Sequence, residues 1–121
     1  MTSPYAYVGF KNFSLSNHGV PLEEQDESAL HILEKICREY KVDIKKVRGK
    51  GRERPYVTIR QISMYFIRKN TGMSLKRIGD LFSWRDHTSV IHSIRQVQSQ
   101  LSSKQLDNIV KKDVERLRMF L

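Results

Sequence analysis

The chain has 121 residues and a formal net charge of +9 at pH 7, with 22 Lys and Arg against 13 Asp and Glu. This length fits one domain, and a hydrophobic share of 39% is enough for a modest core, which excludes full-chain disorder and a large multi-domain machine. No apolar run approaches the ~20 residues of a transmembrane helix, no secretory signal pattern is present, and the single cysteine, Cys37, forms no intrachain disulfide.

Residues 1–25 have no sustained hydrophobic period, because prolines, glycines and scattered aromatics follow one another there. We predict an irregular arm over this range, with its aromatic side chains packing on the body. A helix is predicted over 26–40, with Asp26 or Ser28 as its N-cap. Cys37 lies on the apolar stripe of this helix, so we interpret it as a buried structural thiol. The stripe consists of Leu30, Leu33, Ile36, Cys37 and Tyr40.

The positive charge is concentrated after this helix. Residues 1–30 carry a net charge of −3, so the remainder carries +12, and residues 41–60 alone carry +6. A short helical turn is predicted over 43–47. Two glycines and a proline then interrupt the basic segment, which predicts a loop. Such a loop can follow a phosphate backbone or enter a minor groove, and it can equally be a solvated surface loop.

Three helices are predicted in the second half of the chain before residue 102. The first covers 57–70 and ends at Gly72, and a short helix over 75–82 follows with Ser74 as its cap. A turn over 83–86 leads to a helix over 87–101 capped by Asp86, whose carboxylate is expected to accept from the first-turn amides and to orient Arg85. The inward positions are Ile59, Ile62, Phe66, Ile67, Leu75, Ile78, Leu81, Phe82, Val90, Ile91, Ile94 and Val97.

A last helix is predicted over 105–121, with one apolar face formed by Leu106, Ile109, Val110, Val114, Leu117 and Phe120. We interpret this face as core, with a dimer or partner surface as the alternative. No segment alternates with period two, so the predicted fold is an all-α helical bundle. Its organisation is an arm over 1–25 and one domain over 26–121.

The short helix, the turn and the longer helix form a helix-turn-helix pattern. In that motif the first turn of the second helix faces base edges in the major groove. Arg can donate two hydrogen bonds to guanine, His and Ser can bond base edges or phosphates, and a Thr methyl can contact a thymine methyl. The residues at these positions are Arg85, Asp86, His87, Thr88 and Ser89. The spacing alone is also typical of helical bundles that bind no DNA.

No enzyme, metal or nucleotide site is predicted. His87 and His92 lie five positions apart, on different faces of a helix, which does not suit a metal. Ser83, Asp86 and His87 are neighbours in a turn, which does not give a hydrolase triad. The sequence has no G-x-x-x-x-G-K-[ST] phosphate loop, so neither nucleotide binding nor a cofactor is expected.

Several stretches, in order, resemble the C-terminal DNA-binding domain of the bacterial replication initiator DnaA family. WRDHTSVIH at 84–92 is similar to the family's RDHTTV-type motif, RQISMYF at 60–66 to its RQ-x-A-M-Y helix, and SLKRIG at 74–79 to its S-L-x-x-I-G helix. The basic run 50–54 stands at the family's basic loop, and the resemblance covers about 28–98. It implies a fold of the DnaA C-terminal or Trp repressor type, without the family's ATPase module.

The resemblance implies a two-groove DNA site that binds A/T-rich duplexes of the DnaA-box type. Arg52, with Lys50 and Arg54 beside it, is expected in the minor groove, whose narrow A/T-rich form attracts Arg. Arg60 and Gln61 are expected on the DNA backbone and base edges, and Arg68 and Lys76 at flanking backbone positions. The recognition turn supplies the residues from Arg85 to Ser89.

One departure from the family lies in the turn itself, where Ser83-Trp84 replaces the usual Gly-Gly. If the turn needs positive φ angles, Trp84 is strained there. Its side chain is then expected either on the sugar-phosphate edge of a bound duplex or over the short helix as core.

The favoured function is sequence-selective binding of double-stranded DNA, in initiation or regulation of replication at an origin or in transcription regulation. The expected location is the cytoplasm, in association with the nucleoid, with no membrane partner and with other replication or transcription proteins as further partners. The alternative is a protein-interaction module that kept the fold without the DNA site and uses the 1–25 arm or the last helix.

Overall fold

The computed structural model describes residues 22–104 and 108–121, and its regular elements in these ranges are all helices. The all-α prediction is therefore confirmed. In the same ranges, no helix is both long and apolar enough to cross a membrane. The helices are α1 (Leu22–Tyr40), α2 (Ile44–Arg48), α3 (Tyr56–Thr71), α4 (Leu75–Leu81), α5 (His87–Ser102) and α6 (Ile109–Arg118).

Helix α1 begins at Leu22, four residues before the predicted start at residue 26, so the predicted start of this helix is wrong. Asp26 and Ser28 lie inside the helix and neither is its cap. The sequence between 23 and 27 contains four acidic residues, and acidic side chains stabilise the positive end of the helix dipole. Asp26 pairs instead with Arg77 of α4, with 2.5 Å between Oδ1 and Nη2. The rest of the predicted arm, residues 1–21, lies outside the described residues.

The predicted stops and caps between α2 and α4 rest on local chemistry. Asp43 caps α2, because its Oδ1 accepts from the Lys45 amide at 2.9 Å. Gly72 ends α3 in the left-handed region at φ 70°, where glycine has no steric cost. Ser74 caps α4 by accepting from the Arg77 amide at 3.2 Å. These two predicted positions, Gly72 and Ser74, are confirmed.

Helix α3 lies at the centre of the bundle and packs against α1 and α5 on its two sides. The remaining helices lie around this layer. Helix α2 precedes the loop at the start of α3, α4 follows the loop at the end of α3, and α6 packs on α5. The fully buried side chains of largest volume are Phe66, Phe82, Ile32, Leu33, Ile36, Ile59, Ile62, Met64, Ile67, Met73, Ile78 and Leu117.

Helix α6 is shorter than the predicted 105–121, because it begins at Ile109 and ends at Arg118. Val114 and Leu117 are buried as predicted, whereas Ile109 is 71% exposed and Phe120 is 51% exposed. Ile109 is the first residue of the helix, and Phe120 lies in the turn beyond its end. Asn108 fixes the start by accepting from the Lys111 amide and donating to the Gln100 carbonyl at 2.7 Å. Leu106 lies outside the described residues.

Candidate nucleic-acid interface

Helices α4 and α5 are joined by a tight turn over residues 83–86, which gives the predicted helix-turn-helix. The turn closes when the Arg85 amide donates to the Gly79 carbonyl at 2.8 Å, next to the Phe82 amide that donates to the same carbonyl at 3.1 Å. Ser83 and Trp84 adopt positive φ angles of 63° and 59°. The turn therefore has the backbone that a Gly-Gly pair adopts without strain.

The turn is pressed closely against α4. A Cβ placed on Gly79 would lie 2.1 Å from the Arg85 carbonyl oxygen, so a side chain cannot be accommodated at this position. This approach holds Ser83 and Trp84 in the left-handed region, which costs an L-residue roughly 1–2 kcal/mol each. The Trp84 side chain is 76% exposed, so it recovers little of that cost by packing within the protein. The expectation that Trp84 covers the short helix as core is therefore wrong.

Arg60 is buried beneath the basic loop, and its guanidinium holds the start of that loop. Its Nε donates to the Val47 carbonyl at 2.6 Å, its Nη1 to the Gly51 carbonyl at 2.9 Å and its Nη2 to the Lys46 carbonyl at 3.2 Å. Arg60 is only 4% exposed. The resemblance implies a DNA contact for Arg60. In the structure its guanidinium is enclosed and donates to three carbonyls of the protein.

This position of Arg60 follows from the end of α2. The last carbonyls of a helix have no partner within the helix, and they form the negative end of its dipole. A guanidinium with several donors in one plane can satisfy adjacent carbonyls and place a positive charge there. Burial lowers the pKa of Arg60, and the positive charge of Arg85 lowers it further, although a guanidinium stays protonated at neutral pH.

Three further hydrogen bonds join the root of the basic loop to the recognition turn. Arg48 Nε donates to the Leu81 carbonyl at 2.8 Å, and Ser83 Oγ donates to the Arg48 carbonyl at 2.6 Å. Arg85 Nη2 donates to the Gly49 carbonyl at 3.0 Å. The loop and the turn are more than 30 residues apart in sequence, yet they form one hydrogen-bonded unit. Sequence reasoning assigned no role to Arg48 and no anchoring role to Ser83, because no local spacing signals these contacts.

Arg85 occupies the junction between the loop and the turn. It is half-buried, and its buried Nε has no hydrogen-bond partner in the structure. Burial lowers the pKa of Arg85, and the charge of Arg52 adds to this effect. Arg52 thus acts on Arg85 and Arg85 acts on Arg60, so like charges are held close together. A bound anion would reduce this repulsion, since an opposite charge stabilises each guanidinium.

The predicted DNA-contacting side chains of the loop and of the first turn of α5 lie at the surface. Those that are exposed are Lys50, Arg52, Arg54, Asp86, His87, Thr88 and Ser89. The hydrogen bonds above join the root of the loop that carries Lys50, Arg52 and Arg54 to the turn that precedes the first turn of α5.

Asp86 occupies the N-cap position of α5, but its carboxylate accepts no backbone hydrogen bond there. Its Oδ1 lies 3.2 Å from His87 Nδ1 instead. The prediction that this carboxylate caps the first-turn amides is therefore wrong. Arg85 is oriented by Gly49 rather than by Asp86, because its Nη2 donates to the Gly49 carbonyl. The physical reason is that the Asp86 carboxylate lies against the His87 ring, while the Arg85 guanidinium donates to the Gly49 carbonyl.

The flanking residues differ in how free they are. Gln61 is half-buried next to Arg60 on α3. Arg68 is also half-buried, about 12 Å farther along α3, and its Nη1 donates to the Met73 carbonyl at 2.7 Å, which fixes the connection to α4. The Lys76 side chain is 83% exposed and lies 3.7 Å from Asp80, an ion pair that holds it weakly. Of these side chains, Lys76 is the freest to meet a ligand.

Over the described ranges, no three His, Cys, Asp or Glu side chains come together in a way that could hold a metal ion. His87 is exposed beside Asp86, and His92 is exposed on the next turns of α5.

The sequence was compared with known protein families and proteins. Residues 30–97 match the family described as "Bacterial dnaA protein helix-turn-helix". One similar protein is the "Chromosomal replication initiator protein DnaA" of Synechococcus sp., which is 35% identical over 94% of this chain and 26% of its own length. The protein of the same name from Thermomicrobium roseum is 38% identical over 72% of this chain and 18% of its own length. The protein of the same name from Enterococcus faecalis is 38% identical over 78% of this chain and 20% of its own length.

The chain thus spans between about a sixth and a quarter of the length of these relatives. The matched residues include α2, α3, α4, the first eleven residues of α5, and all three stretches on which the resemblance rests. The chain belongs to the bacterial DnaA helix-turn-helix family.

Proposed function

We propose that this protein binds double-stranded DNA with sequence selectivity, with the first turn of α5 in the major groove and the basic loop in the adjacent minor groove. The observation that carries the proposal is the set of hydrogen bonds that fixes the loop to the turn, above all Arg85 to the Gly49 carbonyl and Ser83 to the Arg48 carbonyl. Two elements that read adjacent grooves must keep a constant separation, and these bonds supply it.

The roles of the exposed residues follow from their chemistry. Arg52, Arg54 and Lys50 are positive and exposed, which suits a narrow A/T-rich minor groove. His87, Thr88 and Ser89 offer donors, acceptors and a methyl group to base edges in the major groove. Lys76 is proposed to meet a flanking phosphate. Arg60 supports the loop from beneath, and Arg68 supports the α3–α4 connection.

The target proposed for this site is an A/T-rich duplex of the DnaA-box type. The proposed role is in replication initiation or its regulation, or in transcription regulation, and it rests on the names of the relatives. A module that had lost its DNA site would have no reason to keep positive side chains on both the loop and the turn.

The test begins with selection of bound duplexes from a random pool, followed by titration of the selected duplex and a scrambled version by fluorescence anisotropy. We expect tighter binding of the selected duplex. For a protein making about six phosphate contacts, affinity should fall roughly a thousandfold between 50 and 200 mM salt. No binding of any duplex at 50 mM salt would refute the proposal.

Two variants give this test a matched comparison. Arg52→Ala removes an exposed loop charge and should weaken binding, with the loss greatest for A/T-rich duplexes. Lys104→Ala removes an exposed charge beyond the other end of α5, about 24 Å from its first turn, and should leave binding unchanged. Equal losses in both variants would indicate general charge attraction rather than the proposed site.

Arg85 needs a conservative control, because it both anchors the loop and carries donors toward the ligand. Arg85→Ala should weaken the selected duplex by about 1–3 kcal/mol and reduce its advantage over the scrambled one. Arg85→Lys keeps the charge but cannot form the planar bidentate contact, so it should restore affinity for both duplexes more than it restores selectivity. An equal loss on both duplexes in Arg85→Ala would contradict the base-reading role.

A further inference from the structure

Trp84 carries an exposed indole on a strained backbone, in the turn between the root of the basic loop and the first turn of α5. Its φ of 59° is one that L-residues other than Asn and Asp rarely adopt, and its side chain is 76% exposed. Strained residues of this kind cluster at sites of function. No contact of the indole within the described residues accounts for a tryptophan at this position.

The two neighbours of Trp84 fix where the indole lies. Ser83 is bonded to the Arg48 carbonyl and Arg85 to the Gly49 carbonyl, so the peptide between them cannot move away from the loop. Asp86 and His87 follow directly and begin the exposed first turn of α5. The backbone of Trp84 is therefore held between the root of the basic loop and the first turn of the recognition helix, and its exposed indole projects from there.

The surroundings of Trp84 favour a polyanion over a protein as its partner. A protein interface has an apolar core, and its aromatic residues are grouped there. The other large hydrophobic residues that are exposed in the described ranges are Ile109, Met119 and Phe120, on or just after α6. Helix α6 starts beside Gln100, about 20 Å along α5 from its first residue. Trp84 thus stands apart from Ile109 at the start of α6, and it adjoins the turn that is bonded to the root of the basic loop.

We propose that Trp84 contacts the sugar-phosphate backbone of bound duplex DNA, with its ring against a deoxyribose and its indole N–H donating to a phosphate oxygen. This inference rests on the proposed DNA-binding function and adds a contact residue to it. A backbone contact contributes affinity and sets the register of the recognition helix, but it carries no sequence information of its own.

The experiment uses the fact that Trp84 is the one tryptophan of the chain, so that intrinsic fluorescence reports on this residue alone. The duplex selected from the random pool and its scrambled version are titrated into the wild-type protein. We expect the tryptophan emission to change on binding and the indole to become protected from acrylamide quenching. Unchanged emission and quenching in a protein that anisotropy shows to be saturated with DNA would overturn the inference.

Three variants separate the side chain from the backbone. Trp84→Gly and Trp84→Asn both accept a positive φ, so they should unfold at the same or a higher urea concentration than the wild type. Both should bind DNA about tenfold more weakly, the effect of losing one well-packed aromatic contact. The loss should be equal for the selected and scrambled duplexes. Trp84→Phe keeps the ring without the N–H and should retain most of the affinity.

The outcomes distinguish this inference from the function on which it rests. If the wild-type protein binds no duplex, the proposed function fails first. If it binds and Trp84→Asn binds equally well, only the role of Trp84 is refuted. A loss confined to the selected duplex would refute a backbone contact, and a change in self-association by sedimentation with unchanged DNA affinity would refute a DNA contact altogether.

Discussion

Replacing Arg60 by methionine tests whether this residue holds the basic loop or contacts DNA directly. Methionine has a similar length and no donors, so Arg60→Met removes the three hydrogen bonds to the carbonyls of Lys46, Val47 and Gly51. If Arg60 is a positioning residue, the variant should lose stability in the absence of any DNA.

The size of this loss of stability depends on whether each carbonyl keeps another hydrogen-bond partner in the variant. Lys46 keeps a second bond, from the Gly49 amide at 3.3 Å, and Gly51 is exposed, so its carbonyl can bind water. Val47 is fully buried, and its unpaired carbonyl costs about 1–3 kcal/mol. Relief of the repulsion from Arg85 offsets part of this cost. We expect a net loss of about 1–2 kcal/mol, which lowers the urea midpoint by roughly 1 M.

The assay combines urea unfolding, followed by circular dichroism, with DNA titrations at several salt concentrations. Arg60→Lys is the matched control, because it keeps the charge but cannot reach three carbonyls in one plane, so it should recover only part of the stability. Arg52→Met, on the exposed loop, should leave the urea midpoint within about 0.5 kcal/mol of the wild type, as surface substitutions usually do.

The result that would refute the positioning role is unchanged unfolding in Arg60→Met together with a salt slope about one lower than that of the wild type, the sign of a lost phosphate contact. Full recovery of DNA affinity by Arg60→Lys would support the same conclusion, since a phosphate needs the charge rather than the fork.

Three further predictions address the turn, the core and the flanking charge. Gly79→Ala should destabilise the fold by about 3 kcal/mol or more, because its Cβ would meet the Arg85 carbonyl oxygen at 2.1 Å; urea unfolding that matches the wild type would contradict this. Burial, aided by the negative charge of Asp43, raises the pKa of the Cys37 thiol to about 11. A maleimide at pH 8 should therefore label Cys37 only as fast as the protein unfolds. Labelling at the rate of a free thiol would disprove its burial. The thiol has a pKa of 9.0 in the unfolded chain and of about 11 in the folded protein. As the pH rises from about 9 to about 11, the thiolate forms more readily in the unfolded chain, so the folded protein loses stability over this range. Lys76→Ala should leave stability unchanged and weaken selected and scrambled duplexes alike, and a loss of selectivity would contradict a phosphate contact.

The sequence predicted those features of the fold that depend on nearby residues. Gly72 ends α3 and Ser74 caps α4 because glycine tolerates a positive φ and a serine hydroxyl reaches the free amides of the next turn. Hydrophobic spacing likewise identified Ile62, Phe66 and Val90 as buried, since one helix face has to meet the core. The start of α1 was predicted too late, because acidic residues occur both in solvated irregular segments and in the first turn of a helix.

For the candidate site, the sequence predicted the location but not the role of each residue. Its location could be predicted, because residues at 50–54 and 84–92 carry a recognisable order of charge, turn and helix. The roles within it could not be predicted, since a sequence records that Arg52, Arg60 and Arg85 are all positive without recording which is exposed. Arg52 is at the surface, Arg85 is half-buried and Arg60 is enclosed.

By itself, then, the sequence determined the helices, most of their ends and the presence of a helix-turn-helix beside a basic segment. The tertiary structure alone decided that carbonyls at the end of α2 converge on Arg60, and that the loop root and the turn exchange hydrogen bonds across more than 30 residues. Such contacts depend on how α2, α3 and α5 pack against one another, and no local pattern encodes the direction in which an arginine points. The packing of the bundle therefore encloses Arg60 beneath the loop, half-buries Arg85 between the loop and the turn, and leaves Arg52 exposed as the candidate for the minor groove.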